Sequence, residues 1–262
     1  MIATNAQLLA IDAGNSRLKW GLFDVSGEIL ASGACVNSEL SNLELPNATR
    51  VIISNVAGTE IATQLKLLLD NRRNIHWAHA EAIACGVINQ YEEPSSLGTD
   101  RWAALIAAWQ LKKSPCVVIN AGTAVTIDAL SSDMISNQGV FVGGLILPGL
   151  DLMLSSLDTG TAQLPKFKQD NSSTKPIEIF ANNTSDAMQA GVLNAVLGAI
   201  VRMKMSLQIE SQQIPFILIS GGNGPTIARH LQNDSTLSVF AIENLVLQGL
   251  YQLDLFRQSK QA

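Results

Sequence analysis

One seven-residue pattern occurs twice in this chain and constrains its fold more than any other feature. Leu9-Ala10-Ile11-Asp12-Ala13-Gly14-Asn15 is echoed by Val117-Val118-Ile119-Asn120-Ala121-Gly122-Thr123. Each copy has an apolar run of strand length, a polar residue at its end, Ala-Gly, and a small polar residue. A second apolar run follows in both cases. A repeat spaced by ~110 residues suits two duplicated domains better than a solenoid of short units. The 262 residues leave room for two modest domains, and 47% apolar against 15% charged residues supplies the cores. The expected division is residues 1–113 and 114–262.

The periodicity predicts strands over 7–13 and 16–24, a hairpin around a Gly-Asn turn, and a third strand over 28–36. Strands over 50–56 and 74–79 flank a helix over 60–71, which predicts a parallel pair joined by a crossover. A helix over 100–113 follows, with Asp100 as N-cap and Lys112 and Lys113 at its negative end. After Ser114-Pro115 the pattern restarts with strands over 116–120, 124–130 and 140–147. Residues 163–175 are polar and predict a surface loop. A long apolar helix is predicted over 186–208 and a strand over 215–220. A helix over 226–232, a strand over 237–241 and a helix over 243–256 complete the chain.

Net charge of −5 argues against a nucleic-acid binder, which presents a basic face. Cys35, Cys85 and Cys116 form no C-x-x-C pair, so neither a disulfide framework nor a zinc site is expected, and the reading is a reducing cytosol. His76 and His79, three apart in a predicted strand, should face opposite sides and share no metal. Residues 1–5 lack the basic start of a signal peptide, and the apolar runs 139–150 and 187–201 fall short of ~20 residues, so a soluble chain with no membrane partner is expected.

Four motifs carry the chemistry. In Asp12-Ala13-Gly14-Asn15-Ser16-Arg17-Leu18-Lys19, a glycine turn lets backbone N–H groups approach an anion, Lys19 adds a charge, and Asp12 suits a magnesium ion. In the second copy, Thr123 offers a hydroxyl to a phosphate, while Thr126 and Asp128 share a strand face. In Leu97-Gly98-Thr99-Asp100-Arg101, Asp100 suits the base of a phosphoryl transfer and Arg101 a clamp for an anionic group. From spacing alone, Asp100 as a helix cap and Arg101 as a solvated neighbour remain open. Ser220-Gly221-Gly222-Asn223-Gly224 reads as a strand-to-helix turn of the kind that meets phosphates.

Asp-x-Gly-Asn-x-x-x-Lys, then Gly-x-Asp-Arg near position 100, then Gly-Thr-Ala-x-Thr, is an ordered set that resembles type III pantothenate kinase of the actin-like ATPase superfamily. The resemblance runs from Asp12 to about Gly224. It implies an α/β fold of two duplicated actin-like (ribonuclease H-like) domains with a nucleotide cleft between them. It further implies ATP as phosphoryl donor, Mg2+, pantothenate as substrate, a homodimer and a cytoplasmic location. By that resemblance Asp100 is the catalytic proton acceptor. Asp12, Ala13, Gly14, Asn15, Ser16, Arg17, Leu18, Lys19 and Thr123 bind ATP, and Tyr91, Gly98, Thr99, Asp100, Arg101 and Thr184 bind pantothenate. One position departs: Asn120 stands where the family has an Asp that binds K+ or NH4+, so that site should be weaker. Two alternatives stay open, a kinase for another small acceptor and a nucleotide-binding regulatory protein without turnover.

Overall fold

A computed structural model describes residues 7–69, 74–133, 135–160 and 178–261. The surface loop expected over 163–175 lies outside the described residues. The chain forms two compact units, each assembled from separate segments. Unit 1 comprises Met1–Ser114, Leu130–Gly143 and Asn244–Ala262, and unit 2 comprises Pro115–Ala129 and Gly144–Glu243.

Unit 1 opens with β1 (Leu8–Ala13), β2 (Arg17–Phe23) and β3 (Ile29–Val36). After a 3-10 turn come β4 (Arg50–Asn55), α1 (Thr59–Leu68) and β5 (Ile75–Trp77), giving a five-stranded sheet in the order β3-β2-β1-β4-β5. β1 pairs antiparallel with β2 and parallel with β4, and β4 pairs parallel with β5, as the hairpin and crossover predict. Leu8, Leu9, Ala10 and Ile11 are all fully buried, the signature of a central strand covered on both faces. A small hairpin, β6 (Ile83–Ala84) and β7 (Val87–Asn89), which the sequence pattern does not reveal, precedes α2 (Thr99–Lys112).

Unit 2 repeats the arrangement. β8 (Cys116–Ala121), β9 (Ala124–Asp133) and β10 (Gln138–Pro148) are followed by α3 (Leu150–Gly160), α4 (Thr184–Ser211), β11 (Phe216–Ser220), α5 (Gly224–Leu231) and β12 (Val239–Ala241). Its strands lie in the order β10-β9-β8-β11-β12 within a seven-stranded sheet that continues past β10 through β7 and β6, and β8, β11 and β12 are mutually parallel. Numbered within each copy, the five repeated strands read 3-2-1-4-5, so the sequence echo is a duplication of topology. β9 and β10 contribute residues to both units.

α6 (Leu245–Ser259) returns the chain to unit 1 and lies against α2 and β1. α2 is buried from Arg101 to Trp109, with Trp102 and Trp109 almost wholly enclosed, which explains why it is apolar on nearly all sides. The two helices approach so closely that a Cβ added at Gly249 would stand 1.8 Å from the Ala103 carbonyl oxygen. α4 is long and apolar enough to cross a membrane by length and composition, at a mean hydropathy of 1.3. Its Met188, Val192, Val196 and Ile200 recur every fourth residue and are buried within unit 2, with Met188 and Val192 packed against Leu154 of α3.

Candidate active site

The first cluster of the residues singled out by sequence lies in unit 1, where β1, β4 and the start of α2 converge. Asp12 is level with Lys19 on β2 and with Ser54 on β4, and residues directly opposite across a sheet share a face. Ser54, fully buried, joins its hydroxyl to that of Thr99 at 2.7 Å. Thr99 is the first residue of α2, so this bond ties the helix start to the strand beside Asp12.

The helix begins differently from the sequence expectation. Gly98 is the N-cap, in extended backbone, and Asp100 is the second helical residue. Its Oδ1 accepts from the Arg101 backbone N–H at 2.8 Å instead of capping the helix. The physical reason is space: a Cβ at Gly98 would lie 2.7 Å from Asp100 Oδ1, so glycine there leaves the carboxylate its place. Asp100 is therefore held at the positive end of the α2 dipole without being consumed as a cap.

Electrostatics set the two carboxylates apart. Burial, and after it the nearby charge of Asp100, outweigh the opposing charge of Lys19 and raise Asp12 to a pKa of about 7. Asp100 is also raised, first by burial, with its hydrogen bond from Arg101 and the Arg101 charge pulling the other way. Asp12 Oδ1 is buried and has no hydrogen-bond partner. A carboxylate oxygen sealed from water and unpaired is costly to keep, and it marks a place where a ligand supplies the missing interaction.

Arg101 sits beside this pair on α2, buried, and donates from Nη1 to the Tyr91 hydroxyl at 3.0 Å. Its guanidinium lies over the rings of Tyr91 and Phe141, at 5.7 and 5.9 Å from their centroids. Tyr91 is itself positioned by Asn89, whose Oδ1 accepts from the Tyr91 N–H at 3.1 Å. Sequence reasoning named Tyr91 and Arg101 but missed Asn89, Phe141 and Ser54, which carry no motif of their own.

The hairpin turn between β1 and β2 exposes Asn15, Ser16 and Arg17. The Gly14 N–H donates to the Arg17 carbonyl at 3.1 Å. Behind the turn, Asn37 donates from Nδ2 to the carbonyls of Gly14 and Asn15, both at 3.0 Å, and from its backbone N–H to Ser16 at 3.2 Å.

Unit 2 holds the second turn. Asn120, next to last in β8, is level with Ser220 on β11, and the Gly122 N–H donates to the Ala124 carbonyl at 3.0 Å. Two glycines from elsewhere press on this turn. Gly149 donates to the Thr123 carbonyl at 2.9 Å, and a Cβ there would meet the Gly122 oxygen at 2.4 Å. Gly221 adopts a φ of +98°, and a Cβ there would stand 2.5 Å from the Ala121 oxygen. That oxygen accepts from the Asn223 N–H at 3.0 Å, so the turns at Ala121–Thr123 and Ser220–Gly224 are braced together. Thr123 is exposed, whereas Thr126 and Asp128 are buried within β9. Thr184 is exposed at the first position of α4, beyond an Asn183 cap that accepts from the Asp186 N–H at 3.0 Å. Thus Asp12, Lys19, Thr99 and Asp100 come together in unit 1 with Tyr91 and Arg101 adjoining, while Asn120, Thr123 and Thr184 belong to unit 2.

The histidine expectation is corrected in its geometry. β5 ends at Trp77, so His79 leaves the strand and its ring stands edge-on to His76, 6.2 Å between centroids. Among the described residues no cluster of three or more His, Cys, Asp or Glu is placed to hold a metal.

Comparison with known proteins fits this geometry. Residues 8–205 match the family described as type III pantothenate kinase. A type III pantothenate kinase from Nitrosospira multiformis is 40% identical over 253 residues, covering 94% of this chain and 90% of that protein. Among solved structures, a conserved candidate Baf family transcriptional activator from Campylobacter jejuni is similar at a TM-score of 0.60 and 20% identity, over 97% of this chain and all of that one. A candidate N-acetylmannosamine kinase from Listeria monocytogenes is similar at 0.51 and 15% identity, over 97% and 99%. At these identities the structures speak for the fold alone, that of the actin-like ATPases and sugar kinases. Sequence and architecture agree, and the chain belongs to the type III pantothenate kinase family.

Proposed function

We propose that this chain transfers the γ-phosphoryl group of ATP to the primary hydroxyl of pantothenate, with Asp100 as the acceptor of the hydroxyl proton. The observation that carries the reading is the pair of half-buried carboxylates, Asp100 at the start of α2 and Asp12 with a buried, unpartnered Oδ1. In the transfer, the pantothenate oxygen forms a bond to phosphorus, the bond to the ADP oxygen breaks, and the hydroxyl proton passes to Asp100. Raising Asp100 above the usual carboxylate range makes it a better base than a solvated aspartate, because its basicity moves towards neutral pH. Most of the remaining catalysis is positioning and charge neutralisation.

The Asp12–Lys19 turn and Thr123 are assigned to the nucleotide phosphates. Tyr91, Gly98, Thr99, Arg101 and Thr184 are assigned to pantothenate, whose carboxylate suits the planar fork of Arg101. Asp12 Oδ1 fits a magnesium ion, held directly or through water, and bound Mg2+ would neutralise phosphate charge. Asn120 fits a monovalent cation less well, since an amide oxygen lacks the charge of a carboxylate. Cys35, Cys85 and Cys116, present as thiols, suit a cytoplasmic location. Exposed Met205 and Ile209 on α4 support a homodimer through that helix.

The test is ADP release from ATP and magnesium with and without pantothenate, for the native protein and Asp100→Asn. Release that requires pantothenate and falls by about 10²–10⁴-fold in Asp100→Asn is expected for loss of a general base. Release that ignores pantothenate, or survives the substitution, overturns the assignment.

A further inference from the structure

We propose that Asn37 is a positioning residue for nucleotide binding: it gathers the carbonyls of the Gly14–Ser16 turn on one side, so that the N–H groups face the phosphates on the other. The proposal rests on the reading of that turn as a phosphate site. Asn37 lies outside the repeated motif and begins the 3-10 turn Asn37–Asn42 after β3. Three successive carbonyls end on this one residue, Gly14 and Asn15 on Nδ2 at 3.0 Å each and Ser16 on the backbone N–H at 3.2 Å. A trans peptide is planar, with its C=O and the following N–H pointing in opposite directions. Fixing these three carbonyls therefore aims the N–H groups of Asn15, Ser16 and Arg17 away from Asn37, on a turn whose side chains are exposed. Successive N–H groups turned to one side form a concave anion site, and removing carbonyl oxygens from that side removes repulsion as well.

The amide orientation is forced. Flipped, Asn37 would set an oxygen against two carbonyl oxygens, with no donor between them. The cost of the observed orientation is visible, because Asn37 Oδ1 is buried without a partner. A side chain selected only for packing would not keep an unpaired oxygen in order to present its NH2. The work done by Asn37 is thus directional, and a group of the same shape with the opposite polarity should fail where a smaller donor succeeds.

The experiment measures binding of a non-hydrolysable ATP analogue and of adenosine by calorimetry, for Asn37→Asp, Asn37→Ala, Asn37→Ser and, as a turn control, Lys19→Ala. Steady-state KM for each substrate and thermal melting accompany it. Asn37→Asp should weaken the analogue by about 10–30-fold and Asn37→Ala by about 5–10-fold, with adenosine and the KM for pantothenate within about twofold of native, as expected for loss of one or two donors. Asn37→Ser, which keeps one donor, should recover part of the loss. Equal weakening of the analogue and adenosine would reduce Asn37 to a structural role and overturn the proposal. An unchanged analogue affinity in the Asn37 variants, with Lys19→Ala weakened, would overturn it while sparing the phosphate reading. Unchanged affinity in all variants would overturn both.

Discussion

Ser54 and Thr99 share a hydroxyl–hydroxyl bond of 2.7 Å that fastens the first residue of α2 to the strand beside Asp12. Because Ser54 is fully buried, its hydroxyl has no water to fall back on. Thr99→Val, which preserves shape, should cost about 1–3 kcal/mol by orphaning Ser54, and Ser54→Ala about 1 kcal/mol. The double substitution should cost less than the sum of the two, since both delete one interaction. Urea denaturation of the four proteins checks this; strictly additive costs would show that the hydroxyls do not depend on each other.

Gly98→Ala should separate catalysis from stability. The added methyl would press on Asp100 Oδ1 at 2.7 Å, and that oxygen is the mobile end of a side chain. The fold should lose no more than about 1 kcal/mol, but displacing the base should lower kcat by about tenfold or more. Paired denaturation and initial-rate measurements test the split, and a loss of stability with native kcat would contradict it.

Asp12 should make stability fall as pH rises. Its folded pKa of about 7 exceeds the ordinary 3.8, so between those values the unfolded chain ionises while the folded chain keeps its proton. The stabilisation is complete below about 3.8 and lost on rising through about 7. Asp12→Asn should therefore gain about 1–3 kcal/mol over the native protein at pH 8 and little at pH 4, the range reflecting partial exposure of the residue. At pH 8, Mg2+ should raise the melting temperature of the native protein and leave Asp12→Asn unmoved, if Asp12 is its ligand. Chemical and thermal denaturation across this pH range check both.

Gly249→Ala should be among the most damaging changes to unit 1. A methyl 1.8 Å from the Ala103 oxygen meets rigid helix backbone, so α2 and α6 must separate. Overpacking of this kind costs about 1–3 kcal/mol or more. A melting temperature close to native would show that the helices can slide apart cheaply.

Much of the fold was legible because strand periodicity and turn residues are local signals. The hairpin, the β4–β5 crossover and the duplicated strand–turn–strand could be read from apolar runs and glycines. The small β6–β7 hairpin could not, since two- and three-residue strands carry no period, and α3 lies in a run that resembles a continuation of β10. Asp100 was misplaced as a cap, because the choice between Gly98 and Asp100 depends on a contact between side chain and backbone. Ser54, Asn37 and Phe141 stayed hidden for a related reason. Each acts on a residue distant in the chain, and a lone polar or aromatic residue in or beside a strand reads the same with or without a partner.

The return of α6 to unit 1 has a consequence for biogenesis. A nascent chain that has emerged as far as Glu243 already contains every residue of unit 2 but still lacks Asn244–Ala262, the segment that covers α2 and β1. Until Leu245–Ser259 leave the ribosome, Ala103 and its neighbours on α2 lack the helix that packs on them, so unit 1 closes only after every residue of unit 2 has been made. Such late, long-range closure is slow and leaves apolar surface open in the meantime. Asp12 and Asp100, both carried by unit 1, thus acquire their final surroundings only after α6 has emerged.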